Sequence, residues 1–166
     1  MRQVPYSPVY REVGADKRFP SPQGIVEPRV QQLIDKVTEQ GYVVIPNAFS
    51  ALEIQEAKAE IVRLAGSSEA GPAAIRGRNP FEGLQTQRIY ALINKSRVFD
   101  KFPLHPDVLA LNDYFLDPGY LVNAYHSICI QPGEASQTLH HDDGFVTVPR
   151  PHAPFGTVFT QLPLCA

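Results

Sequence analysis

The sequence predicts an α+β fold in which helices pack on a sheet or barrel. Helical periodicity dominates the first half of the chain, and short β-type runs dominate the second half. The 16 prolines and 11 glycines indicate many turns and strand edges, which a helix bundle does not need. Helices that are segregated from strands along a chain are typical of α+β proteins, where they cover one face of a sheet.

Composition predicts a soluble globular protein. The chain has 166 residues, enough for one domain with a core, and its hydrophobic (43%) and charged (19%) fractions are ordinary. A formal net charge of −2 without long runs of one sign argues against a nucleic-acid partner. Cys129 and Cys165 form no disulfide framework, which fits a reducing compartment. No window approaches a membrane span, so we expect a cytoplasmic protein with no membrane partner.

Two helices are predicted in the first half of the chain. One begins near Pro28, which suits the first turn of a helix, and ends at Gly41 as a left-handed cap. Its apolar stripe consists of Val30, Leu33, Ile34 and Val37. Ser50 and Glu53 form a capping box that begins the second helix, with Phe49 and Ile54 as a hydrophobic staple. Ile54, Ala57, Ile61 and Leu64 supply its buried face.

The second half predicts mainly strands, after a loop over residues 67–80. Arg88 is central in a strand predicted over Thr86–Tyr90, where the alternative role is that of a solvated edge residue. Short helices are predicted at Arg97–Phe102 and Pro106–Phe115. The remaining β-type runs of this half are Tyr120–Ile130, Gln137–Asp142, Val146–Val148 and Thr157–Phe159. One further β-type run, Tyr42–Ile45, lies in the first half.

The segment Gln137–Phe145 carries the most chemistry, because it places two histidines and two aspartates in four consecutive positions. If the segment is extended, His140 and Asp142 share one face. They could then supply two corners of a 2-His-1-carboxylate iron site. A polar turn is the common alternative, and His141 with Asp143 shows the same spacing on the other face. We favour His140 and Asp142, because Asp143-Gly144 is typical of a turn. A metal-dependent phosphohydrolase is disfavoured, since its ligands would usually lie on helices.

Several segments together resemble the phytanoyl-CoA dioxygenase family of iron(II)- and 2-oxoglutarate-dependent oxygenases. They are Gly41–Pro46, Arg97–Phe99, His105–Leu109, Ile130–Glu134 and Gln137–Phe145, the last with its Gln-x-Leu-His-x-Asp pattern. The resemblance implies a double-stranded β-helix of the jelly-roll or cupin type, with helices packed outside. We therefore expect residues 1–25 to form an arm and residues 26–166 to form the N-terminal part of such a domain.

The resemblance also implies a site and a reaction. His140 and Asp142 would be iron ligands, and Arg88 would help to hold 2-oxoglutarate. Tyr125, His126 and Gln137 would line the pocket, although a core or ladder role is equally compatible with each. The implied reaction uses O₂ and 2-oxoglutarate to hydroxylate a small organic or acyl substrate.

The end of the sequence departs from the family pattern. Family members continue into strands that supply a second iron-binding histidine and an arginine for 2-oxoglutarate, whereas Leu162–Ala166 matches neither. The expectation at this stage is therefore an incomplete β-helix from a truncation, a frameshift or an alternative product. Such a chain would bind iron poorly and be catalytically silent. It would act at most as a binding protein and could self-associate through exposed strand edges.

Overall fold

The computed structural model describes residues 27–71, 73, 75–116, 120–140 and 160–164. In these ranges lie three α-helices, three short 3₁₀ helices and one pair of strands. The α-helices are α1 (Pro28–Gln40), α2 (Ala51–Ala65) and α3 (Pro106–Phe115), and the strands are β1 (Gln87–Ile89) and β2 (Ser127–Cys129). The 3₁₀ helices are Ser68–Ala70, Leu92–Asn94 and Arg97–Phe99. Helices with a small antiparallel sheet are compatible with the predicted α+β class.

The elements belong to two compact units, and the first unit contains α1 and α3. Helix α1 begins at Pro28 and ends at Gly41, whose φ of 85° is left-handed, as predicted. The amide of Gly41 donates to the Val37 carbonyl at 2.8 Å, which closes the last turn. Leu33 and Ile34 are buried in the predicted stripe. Arg29 and the buried Asp107 form an ion pair that links the first turns of the two helices.

The second unit contains α2, the 3₁₀ helices and both strands. The predicted capping box is confirmed at Ser50 and Glu53. The Glu53 amide donates to Ser50 Oγ at 3.3 Å, and the Ser50 amide donates to Glu53 Oε2 at 2.8 Å. The box satisfies two amides that the helix itself leaves unpaired. On the predicted face of α2, Ala57 and Leu64 are buried.

The core of the second unit combines residues of α2, the 3₁₀ helices and β1. The buried members are Ala57, Leu64, Ala70, Ile89, Leu92, Phe99 and Phe102. The rings of Phe49 and Phe102 pack edge to face with centroids 4.7 Å apart. Leu162 and Leu164 also pack against this core. Both lie in the segment Leu162–Ala166, which departs from the family pattern.

The strands are antiparallel, with Gln87 opposite Cys129, Arg88 opposite Ile128 and Ile89 opposite Ser127. The prediction of a strand at Thr86–Tyr90 is confirmed at its centre. The prediction for Tyr120–Ile130 is wrong in extent, because only Ser127–Cys129 has a paired neighbour among the described residues. A β-type run forms a strand only where a partner completes its hydrogen bonds.

Other predicted elements are shorter than expected or lie elsewhere. The segment Arg97–Phe102 forms a 3₁₀ turn at Arg97–Phe99, and Tyr42–Ile45 is not a strand. Gln137–His140 is exposed and is not a strand either. The expectation that His140 and Asp142 share one face of a strand therefore has no support from the geometry of this segment. Asp142, Val146–Val148, Thr157–Phe159 and residues 1–25 lie outside the described residues. Within the described ranges, no helix combines the length and apolar character that a membrane crossing requires.

Candidate functional site

The two strands bring Arg88, Tyr90 and His126 together on one face of the sheet. Side chains alternate along a strand, so Arg88 lies on the face opposite the fully buried Ile89. One step beyond the paired residues, the rings of Tyr90 and His126 meet edge to face with centroids 5.8 Å apart. This face therefore presents a guanidinium, a phenol and an imidazole beside each other.

The guanidinium of Arg88 is held by backbone on one side. Its Nε donates to the Glu82 carbonyl at 2.9 Å, and the amide of Arg88 donates to the Ala73 carbonyl at 2.8 Å. Its two terminal nitrogens have no hydrogen-bond partner among residues that the structure describes. A half-buried guanidinium in this arrangement can bind a carboxylate through two parallel hydrogen bonds.

The carboxylate of Glu82 is occupied by Arg78 and Tyr90. Arg78 Nε donates to Oε2 at 3.0 Å, and the Tyr90 hydroxyl donates to Oε1 at 2.9 Å. The hydrogen bonds from Arg78 and then Tyr90 lower the pKa of Glu82 to about 2. Burial and the bond to Glu82 raise the pKa of the Tyr90 hydroxyl. Glu82 thus stays ionised at neutral pH and neutralises Arg78, which leaves Arg88 as the positive charge of this cluster that has no carboxylate partner among the described residues.

His126 lies beside Arg88 as a neutral side chain. Burial, and then the charge of Arg88, lowers the pKa of this imidazole. Both causes disfavour the protonated form, because a second positive charge would lose hydration and meet the guanidinium. His126 therefore adds no charge that would compete with Arg88 for an anion.

Gln137 and His140 come to the same region through Phe81, the neighbour of Glu82. Gln137 Nε2 donates to the Phe81 carbonyl at 2.7 Å, and the rings of Phe81 and His140 lie 5.0 Å apart. His140 Nδ1 lies 2.7 Å from the Thr138 carbonyl. A carbonyl only accepts, so Nδ1 donates in this hydrogen bond, as in the tautomer that carries its proton on this nitrogen. Histidines that bind metals use this tautomer, with one ring nitrogen donating to a fixed acceptor.

Tyr125 lies on the opposite, core side of the sheet. Its hydroxyl donates to the Phe99 carbonyl at 3.0 Å, and burial raises its pKa to about 12. The two rings meet edge to face with centroids 6.5 Å apart. This placement corresponds to the core role that the sequence left open for Tyr125.

Glu134 joins the region, although the sequence assigns it no role beyond its place in the segment Ile130–Glu134. Its Oε2 accepts hydrogen bonds from the backbone amides of Gln85 (2.5 Å) and Thr86 (2.8 Å) and from Thr86 Oγ1 (3.1 Å). These donors, with the Gln85 amide contributing most, lower the pKa of Glu134. The partners are separated from Glu134 by 48 or 49 positions, so no local pattern reveals the contact. The turn Gln131-Pro132-Gly133 before it was the nearest available signal.

Two glycines shape the loop that leads to Arg88. A Cβ on Gly77 would lie 1.5 Å from the carbonyl oxygen of Gly83, so only glycine fits there. Gly83 itself has a φ of +91°, and a Cβ on it would lie 2.8 Å from Glu134 Oε2. The absence of both side chains lets the loop close on itself and admits the Glu134 carboxylate.

The described residues do not by themselves complete a metal site. No three His, Cys, Asp or Glu side chains within them are grouped so that they could hold a metal ion. His140 presents a suitable nitrogen, and Asp142, its predicted partner, lies beyond the described stretch. The chemistry of the His140 imidazole fits a metal ligand.

Comparison with known proteins identifies the family. The family model described as phytanoyl-CoA dioxygenase matches residues 37–163 of the chain. No curated protein and no solved structure shows significant similarity to it. Members of this family are generally oxygenases with a cupin-like fold that typically use Fe(II) and 2-oxoglutarate. Because the match covers most of the sequence, including Arg88, Glu134 and His140, the chain belongs to the phytanoyl-CoA dioxygenase family.

Proposed function

We propose that this chain is an Fe(II)- and 2-oxoglutarate-dependent dioxygenase that hydroxylates a small organic or acyl substrate. The observation that carries the proposal is the family match over residues 37–163. We further propose that β1 and β2 belong to a double-stranded β-helix, as the cupin-like fold of the family implies.

His140 and Asp142 are the proposed iron ligands. When bound, the iron would supply the oxidising chemistry, while the protein supplies ligands, orientation and a dry pocket. The carbonyl of Thr138 supports this role for His140, because it orients the ring through Nδ1, as hydrogen-bond acceptors do for metal-binding histidines. The ring of Phe81 packs against the imidazole and limits its rotation.

Arg88 is the proposed partner of a 2-oxoglutarate carboxylate. The Glu82 carbonyl holds its Nε, so the guanidinium is oriented before the co-substrate arrives. Such preorganisation reduces the side-chain entropy that binding would otherwise cost. The neutral state of His126 and the pairing of Arg78 with Glu82 leave Arg88 as the local attraction for an anion.

The family resemblance implies that Gln137 and Tyr125 both line the co-substrate pocket. Their contacts suggest a different role for each. The bond from Gln137 to the Phe81 carbonyl keeps the segment before His140 close to the loop before Arg88. Tyr125 braces β2 from the core side through its bond to Phe99. We propose that Gln137 contacts the co-substrate and that Tyr125 acts through the position of β2.

The test compares two pairs of neighbouring substitutions in the full chain. Iron binding is measured by anaerobic equilibrium dialysis with Fe(II), and turnover by succinate formed from 2-oxoglutarate. His140→Ala and Asp142→Ala should each abolish turnover and weaken iron binding about tenfold or more, because each removes one of the side chains that would hold the ion. His141→Ala and Asp143→Ala are matched controls that should retain most of both.

The outcomes separate the register from the function. Loss confined to His141→Ala and Asp143→Ala, or equal loss in all four variants, would show that the ligands are wrongly assigned. A wild-type chain that neither binds Fe(II) nor forms succinate would contradict the proposed dioxygenase and support the alternative of a catalytically silent binding protein.

A further inference from the structure

We propose that Glu134 is a positioning residue that couples the segment carrying Arg88 to the segment carrying His140. The inference rests on the proposed function, because it assigns Glu134 to the geometry of that site. Among the described residues, no hydrogen bond joins the Glu134 carboxylate to Arg88 or His140, so its influence would pass through the backbone.

The carboxylate of Glu134 acts as an acceptor for three donors on a distant segment. The amides of Gln85 and Thr86 and the hydroxyl of Thr86 all point at Oε2. Its other oxygen, Oε1, accepts from the amide of Ala135 at 3.2 Å. Hydrogen bonds to an ionised acceptor are about twice as strong as neutral ones, and a carboxylate can hold several at once.

The two ends of this bridge lead directly to the proposed site. Thr86 is buried and immediately precedes β1, and Arg88 follows two positions later. On the other side, Glu134 lies three positions before Gln137 and six before His140. A shift of the bridge would therefore move the guanidinium and the imidazole relative to each other.

The residues around Glu134 leave space for its carboxylate and hold the two segments together. Gly83 leaves room for the carboxylate, since a Cβ at that position would lie 2.9 Å from the Glu134 carboxyl carbon. A parallel link joins the same segments, because Gln137 donates to the Phe81 carbonyl. Within the first segment, Arg88 donates to the Glu82 carbonyl, which ties the guanidinium to the loop that the bridge holds. Glu134 is not a member of the apolar core of this unit, so its removal opens no core cavity.

The first experiment measures the coupling without activity. Amide hydrogen exchange is followed in the full chain for wild type, Glu134→Ala and Glu134→Gln. In Glu134→Ala the amides of Gln85 and Thr86 should exchange about tenfold faster or more, because each loses its acceptor. Glu134→Gln keeps an acceptor oxygen and should restore most of the protection. Glu56→Ala, which removes an exposed carboxylate bonded to Lys101 at 2.9 Å, is the matched control.

The second experiment links the bridge to the co-substrate. The KM for 2-oxoglutarate should rise about tenfold in Glu134→Ala, as expected for the loss of roughly 1.4 kcal/mol of binding. Its effect should be smaller when combined with Arg88→Gln than in the presence of Arg88, because residues that act through one contact are not additive. A purely structural role would reduce the active fraction without changing KM.

Each outcome decides between the alternatives. Unchanged exchange at Gln85 and Thr86 in a folded Glu134→Ala variant overturns the coupling, and additive effects with Arg88→Gln overturn its route. If Glu134→Ala does not fold, Glu134→Asp withdraws the carboxylate by one methylene and carries the same comparisons. If the wild type does not use 2-oxoglutarate, the proposed function fails, and the exchange of residues 85–89 and 137–140 still decides the coupling.

Discussion

At the scale of single residues, the candidate site depends on backbone carbonyls as much as on charged side chains. The Glu82 carbonyl orients Arg88, the Thr138 carbonyl selects the tautomer of His140, and the Phe81 carbonyl holds Gln137. The pattern of Gln137–Phe145 predicted His140 as a site residue, and the family resemblance implied Arg88 and Gln137, because side-chain chemistry is visible in the sequence. The carbonyls that orient them are invisible there, since every residue has one.

Arg88→Gln is expected to weaken the binding of 2-oxoglutarate. Glutamine keeps a polar group but removes the charge and the paired donors, and a hydrogen bond to a charged group contributes about 1.5–3 kcal/mol. The KM for 2-oxoglutarate at saturating Fe(II) should therefore rise about 10- to 100-fold.

Arg97→Gln is the matched control for this measurement. Arg97 also lies in the second unit, but its side chain is 93% exposed and pairs with Asp100. Its substitution should leave the KM unchanged. An unchanged KM in Arg88→Gln as well would return Arg88 to the alternative role of an edge residue of the sheet.

At the scale of elements, the helices could be predicted and the strands only in part. The start of α2 is encoded by Ser50 and Glu53, three positions apart, and the end of α1 by Gly41. These signals are local, so they are readable from the sequence. The strand β2 depends on a partner about 40 positions away, which the run Tyr120–Ile130 does not specify. The same limit applies to Glu134, whose donors lie in a different segment.

Gly41→Ala should destabilise the protein, whereas Gly66→Ala should not. Both glycines follow a helix, but Gly41 has a φ of 85° and Gly66 a φ of −85°. A side chain in the left-handed conformation costs roughly 1–2 kcal/mol. At Gly66 the nearest atom to an added Cβ is 3.8 Å away, an ordinary contact. There the alanine should be neutral or stabilise by up to about 1 kcal/mol through the unfolded chain.

The measurement for this pair is urea unfolding of both variants beside the wild type. The free energy of unfolding should fall only for Gly41→Ala. Equal losses for both glycines would contradict a left-handed cap at the end of α1.

At the scale of the whole molecule, the chain consists of two compact units, of which the second contains the described part of the candidate site. The core of that unit is small and draws on residues from positions 57 to 102, joined by Leu162 and Leu164. The helical spacing of apolar residues predicted Ala57 and Leu64 as core members. It could not predict Leu162 and Leu164, because a short run flanked by proline carries no periodicity.

Leu64→Ala is expected to cost about 2–5 kcal/mol of unfolding free energy, because it removes a buried side chain and leaves a cavity. Leu64 is fully buried, with a relative exposure of 0%. Leu52 on the same helix is 63% exposed and provides the control. Leu52→Ala should change the free energy by no more than about 0.5 kcal/mol. Chemical denaturation of both variants checks the difference, and similar losses would contradict the described orientation of α2.

The close approach of Gly77 to Gly83 limits which substitutions this loop can accept during evolution. Every codon change that replaces glycine with another amino acid adds a Cβ, and at position 77 that atom would meet the Gly83 carbonyl. No alternative side chain avoids the overlap, so a lineage that keeps this loop keeps glycine there. Ile75, two positions earlier and 84% exposed, is free of that constraint. The loop that carries Glu82 thus combines position 75, which can accept different side chains, with position 77, which accepts only glycine. Substitutions can therefore change the surface of the loop while its backbone shape stays the same.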